Sequence, residues 1–115
     1  MLRNYRLFVT ALLPTIAILA CSGAREHALL DQFFTASRLR DLTALHSVAT
    51  VVFEPKEQGT ILDFEITAIQ RRGDHEDVSV SARVRTPAGE IVQKALRVTI
   101  TGGFVTSVVP APSRP

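Results

Sequence analysis

Side chains able to carry chemistry are sparse in this sequence. Cys21 is the only thiol in 115 residues and directly follows Ile18-Leu19-Ala20. A lone thiol makes no disulfide within its own chain, but it is a nucleophile that can accept a covalent group. The three histidines, His27, His46 and His75, are spread over different elements, whereas metal ligation wants several such groups converging. The densest constellation is His75-Glu76-Asp77, introduced by Gly73-Asp74, and a polar turn of this composition reads as a solvated loop. Asp63 and Glu65 alternate along a strand and share its polar face. They read as solvent-face charges, because general acid–base work needs a perturbed, usually buried carboxyl. No Gly-x-Ser-x-Gly, His-Glu-x-x-His or Gly-rich phosphate loop occurs. His46 and Glu54 are what is left for catalysis if a pocket opens between helices and sheet; no metal and no cofactor is implied.

The residues ahead of Cys21 are more specific. Met1 to Arg6 holds two arginines and no acid, and Leu7 to Ala20 is a 14-residue apolar run broken only by Thr10, Pro14 and Thr15. A positive segment before a short apolar one is the pattern of a secretory signal peptide. The run falls short of the roughly 20 apolar residues that span a bilayer. Ile18-Leu19-Ala20-Cys21 resembles the lipobox of bacterial lipoproteins: an aliphatic residue three before the cysteine, and a small one directly before it. The family more often has Leu where Ile18 stands and a smaller residue where Leu19 stands. The resemblance implies recognition of Ile18, Leu19 and Ala20 by the lipoprotein signal peptidase, cleavage between Ala20 and Cys21, and lipid on Cys21. It also implies a bacterial envelope protein facing the periplasm, with Ser22 rather than Asp after the cysteine favouring the outer membrane. Ser22-Gly23-Ala24 offers the alternative of ordinary cleavage behind Ala24 and secretion. The position of the only cysteine, at the end of the apolar run, favours the lipobox.

Charge excludes one class of partner. The formal net charge is +2, but Arg3 and Arg6 belong to the leader, and without residues 1–20 eleven basic side chains face eleven acidic ones. With no Lys/Arg cluster larger than Arg71-Arg72, nothing replaces counterions on phosphates, and nucleic acid is dropped as a partner.

The rest of the chain has room for one domain. Residues 21–24 read as a lipidated N-terminus and short tether, 25–109 as the domain, and 110–115 as a Pro-rich disordered tail. From Arg25 to Arg38 the apolar residues Leu29/Phe33 and Leu30/Phe34 form i,i+4 pairs, one stripe on a helix, with Arg25, Glu26, Asp31, Gln32 and Arg38 falling elsewhere. Asp41 to Val48 reads as a second helix with Asp41 at its N-terminal end. The period then changes to two. Thr50–Glu54, Thr60–Gln70, Val78–Arg85, Ile91–Thr101 and Phe104–Val109 read as strands, with Gly102-Gly103 as a two-residue hairpin turn. Leu62, Phe64, Ile66 and Ala68 are expected on one face of the first long strand. Centring its hairpin on Asp74 pairs Asp63 with Arg85 and Glu65 with Arg83.

Two helices on about five antiparallel strands make an α+β domain. In pattern it resembles the nuclear-transport-factor-2-like superfamily, whose cone-shaped fold includes ketosteroid isomerases and polyketide cyclases. The matching segments are Ala28–Phe34, Arg40-Asp-Leu-Thr-Ala-Leu45 and Val51-Val-Phe-Glu-Pro55. A cystatin-like sheet wrapping one helix is the alternative. The isomerases of that superfamily use a Tyr donor with acids in an apolar cone, whereas the only Tyr here is Tyr5, inside the leader. The expected function is a lipid-anchored binding module for a partner protein, a second copy, or a small apolar ligand in an interior of Leu, Phe, Val and Ile. An isomerase, dehydratase or cyclase is the alternative.

Overall fold

A computed structural model describes residues 23–111 of the chain. Helix α1 runs over residues 23–39, followed by α2 (Leu42–His46) and one turn of helix, α3 (Pro55–Gln58). Four strands follow: β1 (Thr60–Arg71), β2 (His75–Arg85), β3 (Ile91–Thr101) and β4 (Phe104–Pro110). They form one antiparallel meander in the order β1-β2-β3-β4, with the helical stripe of α1 packed on its apolar face. The expected α+β architecture is present, with four strands in place of five.

Thr50–Glu54, expected as a strand, is not one. Ala49 makes a single parallel bridge with Val105, after which the Phe53 amide donates to the Ser37 hydroxyl of α1, 3.1 Å away. Val51 and Phe53 face the core, so the β-rich composition serves packing and not a ladder. Pro55, which ends this segment, opens α3, where its missing N–H is no loss. Residues 23 and 24 belong to α1 and not to a tether, and Pro110 belongs to β4 and not to a tail. The Ala111 amide still donates to Ala95. The leader and lipobox, Ile18 to Cys21 included, lie outside the described residues.

Helix ends follow local chemistry. Asp41 caps α2 by accepting from the Ala44 amide at 3.2 Å. At the end of α1, Arg40 takes a positive φ of 56°, while its amide donates to Ser37 and that of Asp41 to Ala36. This is a Schellman ending with Arg in the place glycine usually takes. Gly102 and Gly103, at φ 60° and 83°, supply the two left-handed residues of the β3–β4 turn.

The sheet's core face is Val78, Val80, Ala82 and Val84 of β2 with Leu96, Val98 and Ile100 of β3, all buried. In β1 the core-facing set is Ile61, Phe64, Ile66 and Ile69, not the strict alternation through Leu62 and Ala68. Two bulges cause this: the register skips a residue between Ile61 and Asp63 and again between Ile66 and Ala68, and each skip flips the faces. They also move the charge ladder. Asp63 pairs with Arg83 and Glu65 with Ser81, because the hairpin turns between Gly73 and Asp74 and loses a further residue at the second bulge.

Phe33 is fully buried and Phe34 is 5% exposed, in contact with Phe53 and Phe64 rings at 5.5 and 5.4 Å. Phe33→Ala is expected to cost about 3–5 kcal/mol in urea unfolding, whereas Phe104→Ala, at a turn and 39% exposed, should cost a small fraction of that.

Candidate functional site

The buried stripe of α1 is longer than its apolar residues. Glu26, Leu30, Phe33 and Ser37 follow each other by three or four positions, and their exposures are 6%, 0%, 0% and 1%. Both ends of the stripe are polar. Ser37 is satisfied by the Phe53 amide; Glu26 enters the junction between α1 and the end of the sheet. There it meets Arg71, the last residue of β1, and Glu76, its cross-strand partner in β2.

Arg71 lies between the two carboxylates. Its Nη2 is 3.4 Å from Glu26 Oε2 and its Nε is 3.3 Å from Glu76 Oε2. The Glu26 side chain is only 7% exposed, and its Oε1 is sealed from solvent with no hydrogen-bond donor. Around this trio is a cleft of about 470 Å³, floored by Leu29 and Ile100 and rimmed by Arg25, Asp74, His75 and the glycines of both adjacent hairpin turns. His75 Nδ1 is 2.9 Å from Asp74 Oδ1. Arg25 makes no hydrogen bond or ion pair among the described residues.

Burial pushes the Glu76 carboxyl above the ordinary glutamate range, helped by its hydrogen bond with Glu26 and the negative charge there, and opposed by Arg71 and Arg25. Asp74 is held below its usual value by the His75 hydrogen bond. The site therefore combines two neighbouring carboxyl groups, a bridging guanidinium and an exposed one, at the edge of an apolar core.

A second groove, about 570 Å³, runs between α1 and the start of β1 over Phe34, Ile61 and Phe64, with His27 stacked on Phe64 at 4.6 Å. Its rim charge Asp63 is already engaged by Arg83, which holds that carboxyl low.

The residues singled out in the sequence scatter. His46 is exposed at the end of α2. Glu54 accepts from Arg40 at 2.7 Å, and that hydrogen bond lowers its pKa, making it an ionised surface carboxylate. Neither lines either cleft. His75 and Glu76, read as a solvated loop, begin β2 and line the first cleft. The interior is not lined by apolar residues alone, since Glu26 and Ser37 are buried in it. Glu26 was legible: it stands four before Leu30 and seven before Phe33, on the stripe and not off it. Among the described residues no group of three acids, histidines or cysteines could hold a metal ion, and no helix is long and apolar enough to cross a membrane. No family model, curated protein or solved structure matches the chain.

The sign of the proton linkage follows from Glu76. A carboxyl whose folded pKa is raised contributes stability that is complete below its unfolded value, near 4.5, and is lost as pH rises through the folded value. Asp63 and Glu54, both lowered, act oppositely, and their contribution is lost as pH falls through their folded values. Urea unfolding over a pH series should therefore show a decline above about pH 4.5, the ordinary glutamate value. Glu76→Gln should flatten that limb and leave the acid limb unchanged.

Proposed function

We propose that the protein is a small lipid-anchored domain of the bacterial cell envelope, facing the periplasm and held at the outer membrane through Cys21, and that it acts by binding. The observation that supports this most is where the polar cleft lies. The described part of α1 begins at residue 23, two residues after Cys21, and Glu26 follows within its next turn. Covalent reach bounds the Cys21-to-Glu26 separation at about 12 Å, from two extended residues and three helical ones. A lipid on Cys21 thus brings the Glu26–Arg71–Glu76 cleft to the membrane surface. Leu30, Phe33 and the valines of β2 and β3 pack against one another between α1 and the sheet, so we assign binding to this cleft or to a protein partner. Tethering raises effective concentration, and a weak site suffices. The long α1, short α2 and meander support a short nuclear-transport-factor-2-like domain; a sheet on one long helix is equally the cystatin-like arrangement.

One observation favours the enzyme reading, of the isomerase, dehydratase or cyclase kind: two neighbouring carboxyl groups in a cleft, one pushed above its ordinary range by burial, are the equipment of a general acid. Against it, Arg71 engages both carboxylates, and the chain from Cys21 onward contains no Tyr or Trp to donate to an oxyanion.

The anchor is tested directly. Cys21→Ala should abolish lipid attachment and leave a precursor or a miscleaved soluble product, read by intact mass of the detergent-extracted protein. Two or more acyl chains on Cys21 hold a domain stably, where one chain gives only about 10⁴ M⁻¹. A mature wild-type species beginning at Arg25, unaffected by the substitution, overturns the reading.

A further inference from the structure

Most charges in the cleft are spent on one another. Arg71 engages Glu26 and Glu76, and His75 engages Asp74. Two hydrogen-bonding groups are left over. One is an acceptor, Glu26 Oε1, buried and without a donor; the other is a donor set, the Arg25 guanidinium, on the rim. They sit on adjacent residues of α1, one deep and one at the mouth. A ligand complementary to both carries an N–H cation at one end and an anion a few bonds away. Of the small zwitterions with that chemistry, one is concentrated at the mouth of this cleft if Cys21 is lipidated: the ammonium–phosphate headgroup of a bilayer lipid.

Resting on the membrane-anchor reading for its source, we infer that the cleft is a binding site for a phosphoethanolamine headgroup. Its ammonium meets Glu26 Oε1 and the Glu76 carboxyl, and its phosphate meets Arg25. The ammonium donates up to three hydrogen bonds, which suits two carboxylates held around one point. Glu26 Oε1 is enclosed, so admitting the ammonium requires a neighbouring side chain to shift, and Glu76, a fifth exposed, lines the same cleft. Gly73, Gly102 and Gly103 make up the cleft wall and add no side chain to obstruct a headgroup. A trimethylammonium group has no N–H to donate, so phosphocholine is the discriminating analogue.

The test uses the mature, lipidated chain in detergent, ¹⁵N-labelled, with its mass confirming the lipid. It is titrated with glycerophosphoethanolamine, glycerophosphocholine and inorganic phosphate. Saturable shifts of the Gly73, Gly102 and Gly103 amides with the first alone support the site. Glu26→Gln should weaken that binding at least about tenfold, the scale of one charge-assisted hydrogen bond. Arg25→Gln, an exposed change that leaves the fold unaffected, should weaken it several-fold. Equal response to glycerophosphocholine, equal response to phosphate, or no saturable response from a folded chain overturns the inference. Because the headgroup is added in solution, a chain that binds it but carries no lipid upholds the site and contradicts the anchor. A lipidated chain that fails to bind contradicts the site alone.

Discussion

A carboxylate at the end of a buried helical stripe constrains everything around it. α1 has one face to bury, and its spacing carries Glu26 into the junction along with Leu30 and Phe33. An unpaired buried charge is expensive, so the carboxylate must find a cation, a proton, or both. Arg71 supplies the cation, from the cross-strand pair with Glu76 that closes the β1–β2 hairpin. The position of α1 on the sheet, the register of the hairpin's last pair and the polarity of the cleft are therefore one arrangement. Removing Arg71 would leave two carboxylates facing each other; removing Glu26 would take one carboxylate partner from Arg71.

How far the sequence shows this depends on which physics sets each feature. The helix stripe, the α2 cap at Asp41 and the glycine turn at 102–103 are set locally, by period, capping and positive φ, and they stand in the sequence plainly. The faces of β1 are not set locally. A bulge is decided by how two strands fit against one core, and two of them exchange Leu62 and Ala68 for Ile61 and Ile69 and shift Asp63 onto Arg83. Thr50–Glu54 has the composition of a strand, but its Thr50 amide donates to the Val105 carbonyl and its Phe53 amide to the Ser37 hydroxyl. Composition records that the segment is buried and not which partner buries it. Glu26 is a different case, because its spacing announced it; treating charge as a reason to be off the stripe hid it.

The closed interior bears on function as much as the cleft does. Between α1 and the sheet, Phe33, Phe34, Phe53 and the valines of β2 pack into one buried cluster. Chemistry is displaced to the rim of the sheet, at the end from which the chain leads back to Cys21. Meander topology puts the β1–β2 and β3–β4 turns at that same end and the β2–β3 turn at the other, an 11-residue strand or about 35 Å away. The protein is polarised along its strands: two glycine turns, the carboxyl pair and Arg25 at one end, Gly59 and Gly89 at the other.

That polarity is what the account rests on, and paramagnetic relaxation measures it. With the lipidated protein in bilayers containing a headgroup spin-labelled lipid, Gly73, Gly102 and Gly103 amides should broaden strongly while Gly59 and Gly89 stay sharp. Broadening of Gly59 and Gly89 at least as strong as that of the other three would place the opposite end of the sheet at the membrane and contradict the account.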